Sequence, residues 1–362
     1  MSLALPDFPW DSLDSYRAVA TAHPSRIIDL SVGSPVDPTP DIATSALGSA
    51  TQAPSYPLTA GTPELQASMA QWWERRRNTG PLSSSEVIPS IGSKETVGLL
   101  PILLGLCPDD TVVIPEIAYP TYAIGATIAG ARIVTADSPS DWPVGTKLIW
   151  LNSPSNPTGR VHTVDFLKDA VEKARSLGAV LVNDECYGEL GWEVDHVPSL
   201  LDWDVTGGKR SGLLALYSTS KQSNLAGYRA ALVAGDKELV QAVLLARKHL
   251  GLIVPSPIQA ALVAVLGDDE HVAHQKELYR VRRDTLLASF IEAGFRMDHS
   301  EAGLYLWVTR DEPCLDTLAW LAERGILVAP GSFYGSAGSR HVRVALTVSD
   351  AHARMVRDRI VA

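Results

Sequence analysis

Tyr217-Ser-Thr-Ser-Lys-Gln-Ser-Asn-Leu-Ala-Gly-Tyr-Arg229 lies between two short apolar runs, Leu213 to Leu216 and Ala230 to Ala234, each of which reads as a buried strand. A lysine between two such strands, among hydroxyl residues and eight positions before an arginine, points to a buried amine beside an anion site. An amine held in an apolar pocket is partly deprotonated and can form a Schiff base with an aldehyde. Ser218, Ser220 and Arg229 are the groups to hold a phosphate on that aldehyde, the arginine through a forked, permanent charge. A solvated lysine in a polar loop explains the same residues, so this stretch takes its weight from the rest of the chain.

Strands recur upstream, each ending in a polar turn. Ala179 to Val182 ends in Asn183-Asp184-Glu185-Cys186-Tyr187, which puts a carboxylate at a strand's C-terminal tip, where open α/β sheets keep their ligands. A helix cap would use the same aspartate, and Cys186 reads as a packing residue. Lys147 to Leu151 leads into Asn152-Ser-Pro-Ser-Asn156-Pro-Thr-Gly159-Arg160, a rigid turn that presents the Asn156 side chain. Glu86 to Ile91 leads into Gly92-Ser93-Lys94 and an apolar helix to Leu106. Such a junction offers free N–H groups and a hydroxyl to a phosphate, though a plain cap accounts for it equally well. Thr111 to Ile114 precedes Tyr119, a ring placed either to cover an aromatic cofactor or to pack at an interface.

Ala131 to Ala136 is a further strand, and Thr163 to Leu177 is an amphipathic helix ended by Gly178. This β-α-β alternation over about 86 to 235 predicts a doubly wound, mostly parallel sheet. Helices are expected at Lys237 to Leu250 and Asp268 to Ala293. Beyond them short strands (Leu304 to Thr309, Ile326 to Ala329, His341 to Leu346) alternate with helices, as in a smaller α+β domain. Near the start, a helix at Ser12 to His23 and a strand at Arg26 to Leu30 lead into Gly33 to Pro40, which reads as an ordered loop or domain crossing, or equally as a plain linker. Tyr56-Pro-Leu-Thr-Ala-Gly61 then delivers Thr62 as N-cap and Pro63 as first residue of a helix with Leu65, Met69, Trp72 and Trp73 on its apolar side. The expected division is a large domain over 38–275 and a small one from 1–37 with 276–362.

Composition sets the outer limits. The 362 residues, 46% hydrophobic and 20% charged, suffice for one large core and a smaller one. A net charge of −10 argues against a nucleic-acid surface, while local arginines still serve small anions. Cys107, Cys186 and Cys314 are widely separated, with neither zinc-ligand spacing nor a disulfide framework, which fits a reducing compartment. The first residues lack the basic and apolar regions of a secretion signal, and no apolar stretch reaches the roughly 18 residues of a membrane span. A cytoplasmic protein with no metal and no membrane contact is expected.

Taken together, Asn-Pro-Thr-Gly at 156 to 159, Asp184 with Tyr187, Ser-x-Ser-Lys221 and Arg229 come in one order, each at a strand end. The chain thereby resembles the fold-type I, class I/II pyridoxal-phosphate aminotransferases over essentially its whole length. That resemblance implies the aspartate aminotransferase-like fold and pyridoxal 5'-phosphate as cofactor. Lys221 would hold the cofactor as a Schiff base and move the substrate proton. Asp184 would keep the ring nitrogen protonated, and Asn156 and Tyr187 would hydrogen-bond the phenolic oxygen. Gly92, Ser93, Lys94, Ser218, Ser220 and Arg229 would surround the phosphate, and Tyr119 would stack on the ring. Arg343, in His-Val-Arg-Val-Ala-Leu, would clamp the substrate α-carboxylate beside Asn156, with the loop at Gly33 closing over it. Tyr56 would reach the cofactor phosphate of a second subunit, implying a homodimer with shared sites.

The match is closer to one group. Tyr-Pro-Leu-Thr-Ala-Gly-Thr-Pro-Glu-Leu, Ser-Lys-Gln-Ser-Asn-Leu-Ala-Gly-Tyr-Arg and Ala-Arg-Lys-His-Leu-Gly resemble actinobacterial N-succinyldiaminopimelate aminotransferases. This implies amino exchange between N-succinyl-LL-2,6-diaminopimelate and 2-oxoglutarate, in lysine and cell-wall precursor synthesis. Lys248 to Pro257 lacks the arginine by which aspartate enzymes bind a distal carboxylate, which argues against a dedicated aspartate enzyme. The succinyl group is assigned no residues; Arg17, Arg26, Arg160 and Lys248 are the available cations. Two rivals share the pattern. A C–S β-lyase would use the same lysine, aspartate and arginine but break a different bond. A non-enzymatic ligand-sensing module would follow a basic DNA-binding domain, which the acidic chain disfavours.

Overall fold

The computed structural model describes residues 5–361. After a helix at Asp14–Thr21 and the short strand β1 (Ile28–Asp29), seven strands form the main sheet. They are β2 (Val87–Ile91), β3 (Thr111–Ile114), β4 (Arg132–Thr135), β5 (Thr146–Asn152), β6 (Val180–Asp184), β7 (Leu213–Ser218) and β8 (Ala230–Gly235). Their order is β2-β8-β7-β6-β5-β3-β4, and only β8 runs against its neighbours. The mostly parallel, doubly wound expectation is met.

Inner strands such as β3, β7 and β8 are buried along their whole length, which explains why they read as unbroken apolar runs rather than alternating ones. Alternate residues still serve opposite faces. Leu213 and Ala215 pack with Trp72, Trp73 and Leu167 on one side, while Leu214 and Leu216 pack with Val97, Leu100 and Val240 on the other. The covering helices start and stop where local chemistry dictates. The Thr62 hydroxyl accepts from the Leu65 N–H at the head of Pro63–Arg77, and Thr163 does the same for Phe166 at the head of Val164–Leu177. Gly178 ends the latter helix in the left-handed conformation.

Five more strands follow: β9 (Arg296–Met297), β10 (Tyr305–Thr309), β11 (Ile326–Leu327), β12 (Ala329–Pro330) and β13 (Val342–Ala345). Four of them form an antiparallel sheet, β12-β13-β10-β9, in which Arg343 faces Trp307 and Ala329 in register. Strand β11 instead pairs in parallel with β1, so Ile28 and Leu30 share a core with Leu286, Phe290, Leu306 and Val344.

Among the elements that escaped the sequence reading are the helices Asp41–Ser49 and Ser256–Gly267 and the strand β9. No element was expected at Ser256–Gly267, which is a helix with its proline in the first turn, where a missing N–H costs nothing. Its apolar residues surround the axis, so no amphipathic stripe announced it. The two-residue β9 is too short to carry a pattern. No helix among the described residues is long and apolar enough to cross a membrane.

Candidate active site

Parallel strands deliver their C-terminal ends to one edge of the sheet, and the polar turns gather there. Strand β6 brings Asp184 to this edge, β7 brings Ser218 with the one-turn helix Thr219–Gln222 carrying Lys221, and β2 brings Gly92 ahead of the helix Ser93–Leu103. The short antiparallel sheet closes the other side with Arg343 from β13 and Tyr305 from β10. Between them lies a cavity of about 570 Å3. It is lined by Lys221, Asp184, Tyr187, Asn156, Ser93, Lys94, Tyr119, Ser218, Ser220, Arg229, Gly33 and Arg343. Residues scattered over more than 300 positions thus meet in one cavity. Gly92 stands just behind, packed so closely that a Cβ there would collide with the Arg229 guanidinium. Tyr56 takes no part in its own chain's cavity; its side chain is 97% exposed.

One end of the cavity is anionic. Asp184 is 7% exposed, and its carboxylate accepts from Tyr122 Oη at 2.9 Å and the Cys186 N–H at 3.2 Å. No cation among the described residues pairs with it. Burial therefore pushes its pKa up, against those two hydrogen bonds. The other end is suited to an anion. Arg229 has no acidic partner among the described residues, its Nη1 donating only to the Ala226 carbonyl at 2.8 Å. Ser218 Oγ donates to Ser220 Oγ at 2.8 Å, and the amino end of the helix Ser93–Leu103 adds its free N–H groups.

Lys221 lies between these ends, its Nζ donating to the Gly33 carbonyl. Burial first, then the positive charges of Arg343 and Arg229, push its pKa down. Arg343 is 2% exposed and has no carboxylate partner among the described residues. Nη1 donates to Asn156 Oδ1 at 3.0 Å and Nη2 to the Ser31 carbonyl at 2.7 Å, while Nε donates to nothing. The guanidinium lies 3.9 Å from the Tyr305 ring centre. A buried, permanent cation with only neutral partners is costly unless an anion completes it.

Several of these partners are invisible in the sequence. Tyr122, stacked on Trp150 at 5.0 Å, holds Asp184; Tyr305 supports Arg343; Asn152 ties the turn together by accepting the Asn156 N–H at 2.7 Å and donating to the Asp184 carbonyl at 2.8 Å. Cys186, read as a packing residue, lines the cavity and donates its thiol to Ser93 Oγ at 3.1 Å. Of the spare cations, Arg17 reaches the cavity mouth but is paired with Asp29 at 2.6 Å. Lys94 has no acidic partner among the described residues and lies 5.8 Å from the Tyr119 ring centre.

An unpaired carboxylate, a depressed lysine and an arginine-and-hydroxyl cradle are the donor set for a group with a protonated ring nitrogen, an aldehyde and a phosphate. Residues 25–360 match the family model for aminotransferase class I and II. The chain belongs to that family. It accordingly has the aspartate aminotransferase-like fold and uses pyridoxal 5'-phosphate with amino acid and 2-oxo acid substrates. It is 53% identical over 351 residues to a probable aminotransferase of Mycobacterium tuberculosis, covering 97% of this chain and 84% of that one. It is 51% identical over 349 residues to 4-dedimethylamino-4-oxo-anhydrotetracycline transaminase OxyQ of Streptomyces rimosus, covering 96% of each. Among solved structures, a probable N-succinyldiaminopimelate aminotransferase from Thermus thermophilus superimposes with a TM-score of 0.88 at 27% identity, over 98% of this chain and 99% of that one.

Proposed function

We infer that this aminotransferase moves an amino group between N-succinyl-LL-2,6-diaminopimelate and 2-oxoglutarate, using Lys221, Asp184 and Tyr187 as its chemical groups. The observation that carries the reading of the site is Arg343, a fully buried guanidinium with neutral partners and a free Nε at the cavity wall. An α-carboxylate completes it, and a forked grip fixes the direction of the substrate's Cα–H bond.

Bound in the cavity, pyridoxal phosphate supplies the electron sink for the carbanion. Asp184, with no cation partner among the described residues, would hold the proton on the ring nitrogen. Tyr187 and Asn156 would hydrogen-bond the phenolic oxygen, and Tyr119 would cover the ring. Ser93, Lys94, Ser218, Ser220 and Arg229 would hold the phosphate. The Gly33 loop, already in contact with Lys221, closes behind the substrate. With the cofactor bound, Lys221 Nζ would be the group that takes and returns the proton of the substrate α-carbon. Burial and the nearby arginine charges favour its neutral form, the form that accepts a proton.

The choice of donor is supported by the sequence likeness around Tyr56, Lys221 and Arg247 and by the Thermus structure. The Streptomyces relative favours a second reading, amination of a polycyclic ketone. The division into 38–275 and 1–37 with 276–362, a cytoplasmic location, and a homodimer with Tyr56 reaching its neighbour's phosphate belong to the same proposal. In support of the last, Tyr56 stands free of its own chain beside the exposed Leu58.

The test is a donor panel on the purified protein loaded with cofactor. N-succinyl-LL-2,6-diaminopimelate and glutamate should each bleach the visible band, and 2-oxoglutarate should restore it. Lys221→Ala should form no borohydride-fixable adduct. Turnover confined to a polycyclic ketone acceptor would favour the second reading. Pyruvate and ammonia released from sulfur amino acids would indicate a lyase instead.

A further inference from the structure

Tyr305 touches three parts of the site at once. Its ring lies against the Arg343 guanidinium, 3.9 Å from centre to Cζ. Its hydroxyl is 3.2 Å from that of Tyr187, with the two rings meeting edge to face at 5.7 Å. Its tip also presses on the loop that holds Lys221, since a Cβ on Gly33 would collide with Tyr305 Oη. Both tyrosines are buried.

We propose that Tyr305 is a positioning residue with two separable roles: its hydroxyl polarises Tyr187, and its ring face holds Arg343 in line for the substrate carboxylate. The proposal rests on the assignment of Tyr187 and Arg343 given above. A phenol has a single proton to donate. For Tyr187 to donate to an oxygen in the cavity, the bond between the two hydroxyls must run from Tyr305 to Tyr187. A donated bond of this kind strengthens the next one in the chain, more so away from water. Tyr305 thereby favours the deprotonated form of whatever oxygen Tyr187 faces. The ring face acts independently, because a flat π surface stacks on a guanidinium whether or not it bears a hydroxyl.

The charged and titratable groups around the pair come from every element packed on it. They are Arg343 on β13, Lys221 on its one-turn helix, Cys186 just beyond β6, Tyr279 on the helix Glu270–Glu292, and Tyr334. Tyr305→Phe leaves all of them in place.

The experiment compares Tyr305→Phe, Tyr305→Leu and Tyr334→Phe with the parent, all loaded with pyridoxal phosphate. Two quantities are read: the pH midpoint of the visible band, without substrate, and KM against kcat for L-glutamate. Losing the Tyr305 hydroxyl should move the midpoint upward by about 0.3 to 1 unit, with KM within about threefold of the parent. Tyr305→Leu should shift the midpoint similarly and raise KM by about tenfold or more, since the stacking face is also gone. The Tyr334 ring lies 5.2 Å from Arg343 and its hydroxyl has no partner among the described residues, so Tyr334→Phe should leave the midpoint where it was. An unmoved midpoint in Tyr305→Phe, or an equal shift in Tyr334→Phe, overturns the proposal. A parent protein that forms no band removes the assignment of the site itself, and this proposal with it.

Discussion

Arg343→Lys isolates what the fork contributes, because it keeps the charge and removes the geometry. In the parent, Nη2 is committed to the Ser31 carbonyl and Nη1 to Asn156, and the ring of Tyr305 prevents the plane from tilting. The guanidinium therefore meets a substrate carboxylate already oriented. Two charge-assisted bonds at about 1.5–3 kcal/mol each amount to roughly 3–6 kcal/mol. A lysine ammonium recovers about 1–2 kcal/mol as a point charge, leaving a net loss of roughly 2–4 kcal/mol. At about 1.36 kcal/mol per decade that is a fall of roughly 30- to 1,000-fold in kcat/KM for the amino donor. The assay is single-turnover bleaching of the visible band as a function of donor concentration, with cofactor affinity measured in parallel. Affinity should hold, since Arg343 lies on the substrate side. A variant within about threefold of the parent would refute the carboxylate clamp.

Other perturbations probe the remaining parts of the site. Asp184→Asn replaces an unpaired buried carboxylate by a neutral group and should lower kcat on the order of 10²–10³ while Tyr122 still finds an acceptor; stopped-flow rates of the donor half-reaction check this. Gly92 has φ 75° and ψ 151°, a region nearly confined to glycine, and Gly92→Ala should cost about 1–3 kcal/mol and displace Arg229. Cofactor release on dialysis should become at least several-fold faster, and an unchanged rate would count against the phosphate cradle. Burial, with the nearby charge of Arg160, pushes the His162 imidazole from 6.5 down to about 4. The unfolded chain therefore binds a proton in that window that the folded chain refuses, and stability present above pH 6.5 is lost as pH falls towards 4. In His162→Gln the decline of Tm over that window should be shallower; an identical decline would exclude this histidine as its source.

Local chemistry made much of this protein legible in its sequence. Buried strands needed no more than runs such as Leu213-Leu-Ala-Leu216, and helix ends were marked by Thr62, Thr163 and Gly178, because backbone satisfaction at a terminus is decided within a few residues. Lys221, Asp184, Asn156 and Arg229 were found for a related reason: each belongs to a turn at a strand end, and parallel strands bring such turns to one edge. The helix Ser256–Gly267 was missed because it is apolar all round and periodicity has nothing to report there.

The electrostatics of the site belonged to the tertiary structure alone. That Asp184 has Tyr122 but no cation among the described residues, that Arg343 has Tyr305, Asn156 and Ser31 but no carboxylate among them, and that Lys221 rests on Gly33 depends on contacts across 38 to 312 positions. A charge's behaviour depends on what surrounds it and on how much water is excluded, and neither is a property of neighbouring residues in the chain. The sequence determined which groups reach the edge of the sheet. Packing decided which of them were left unpaired among the described residues, and on the proposed function those are the groups that a cofactor and a substrate would complete.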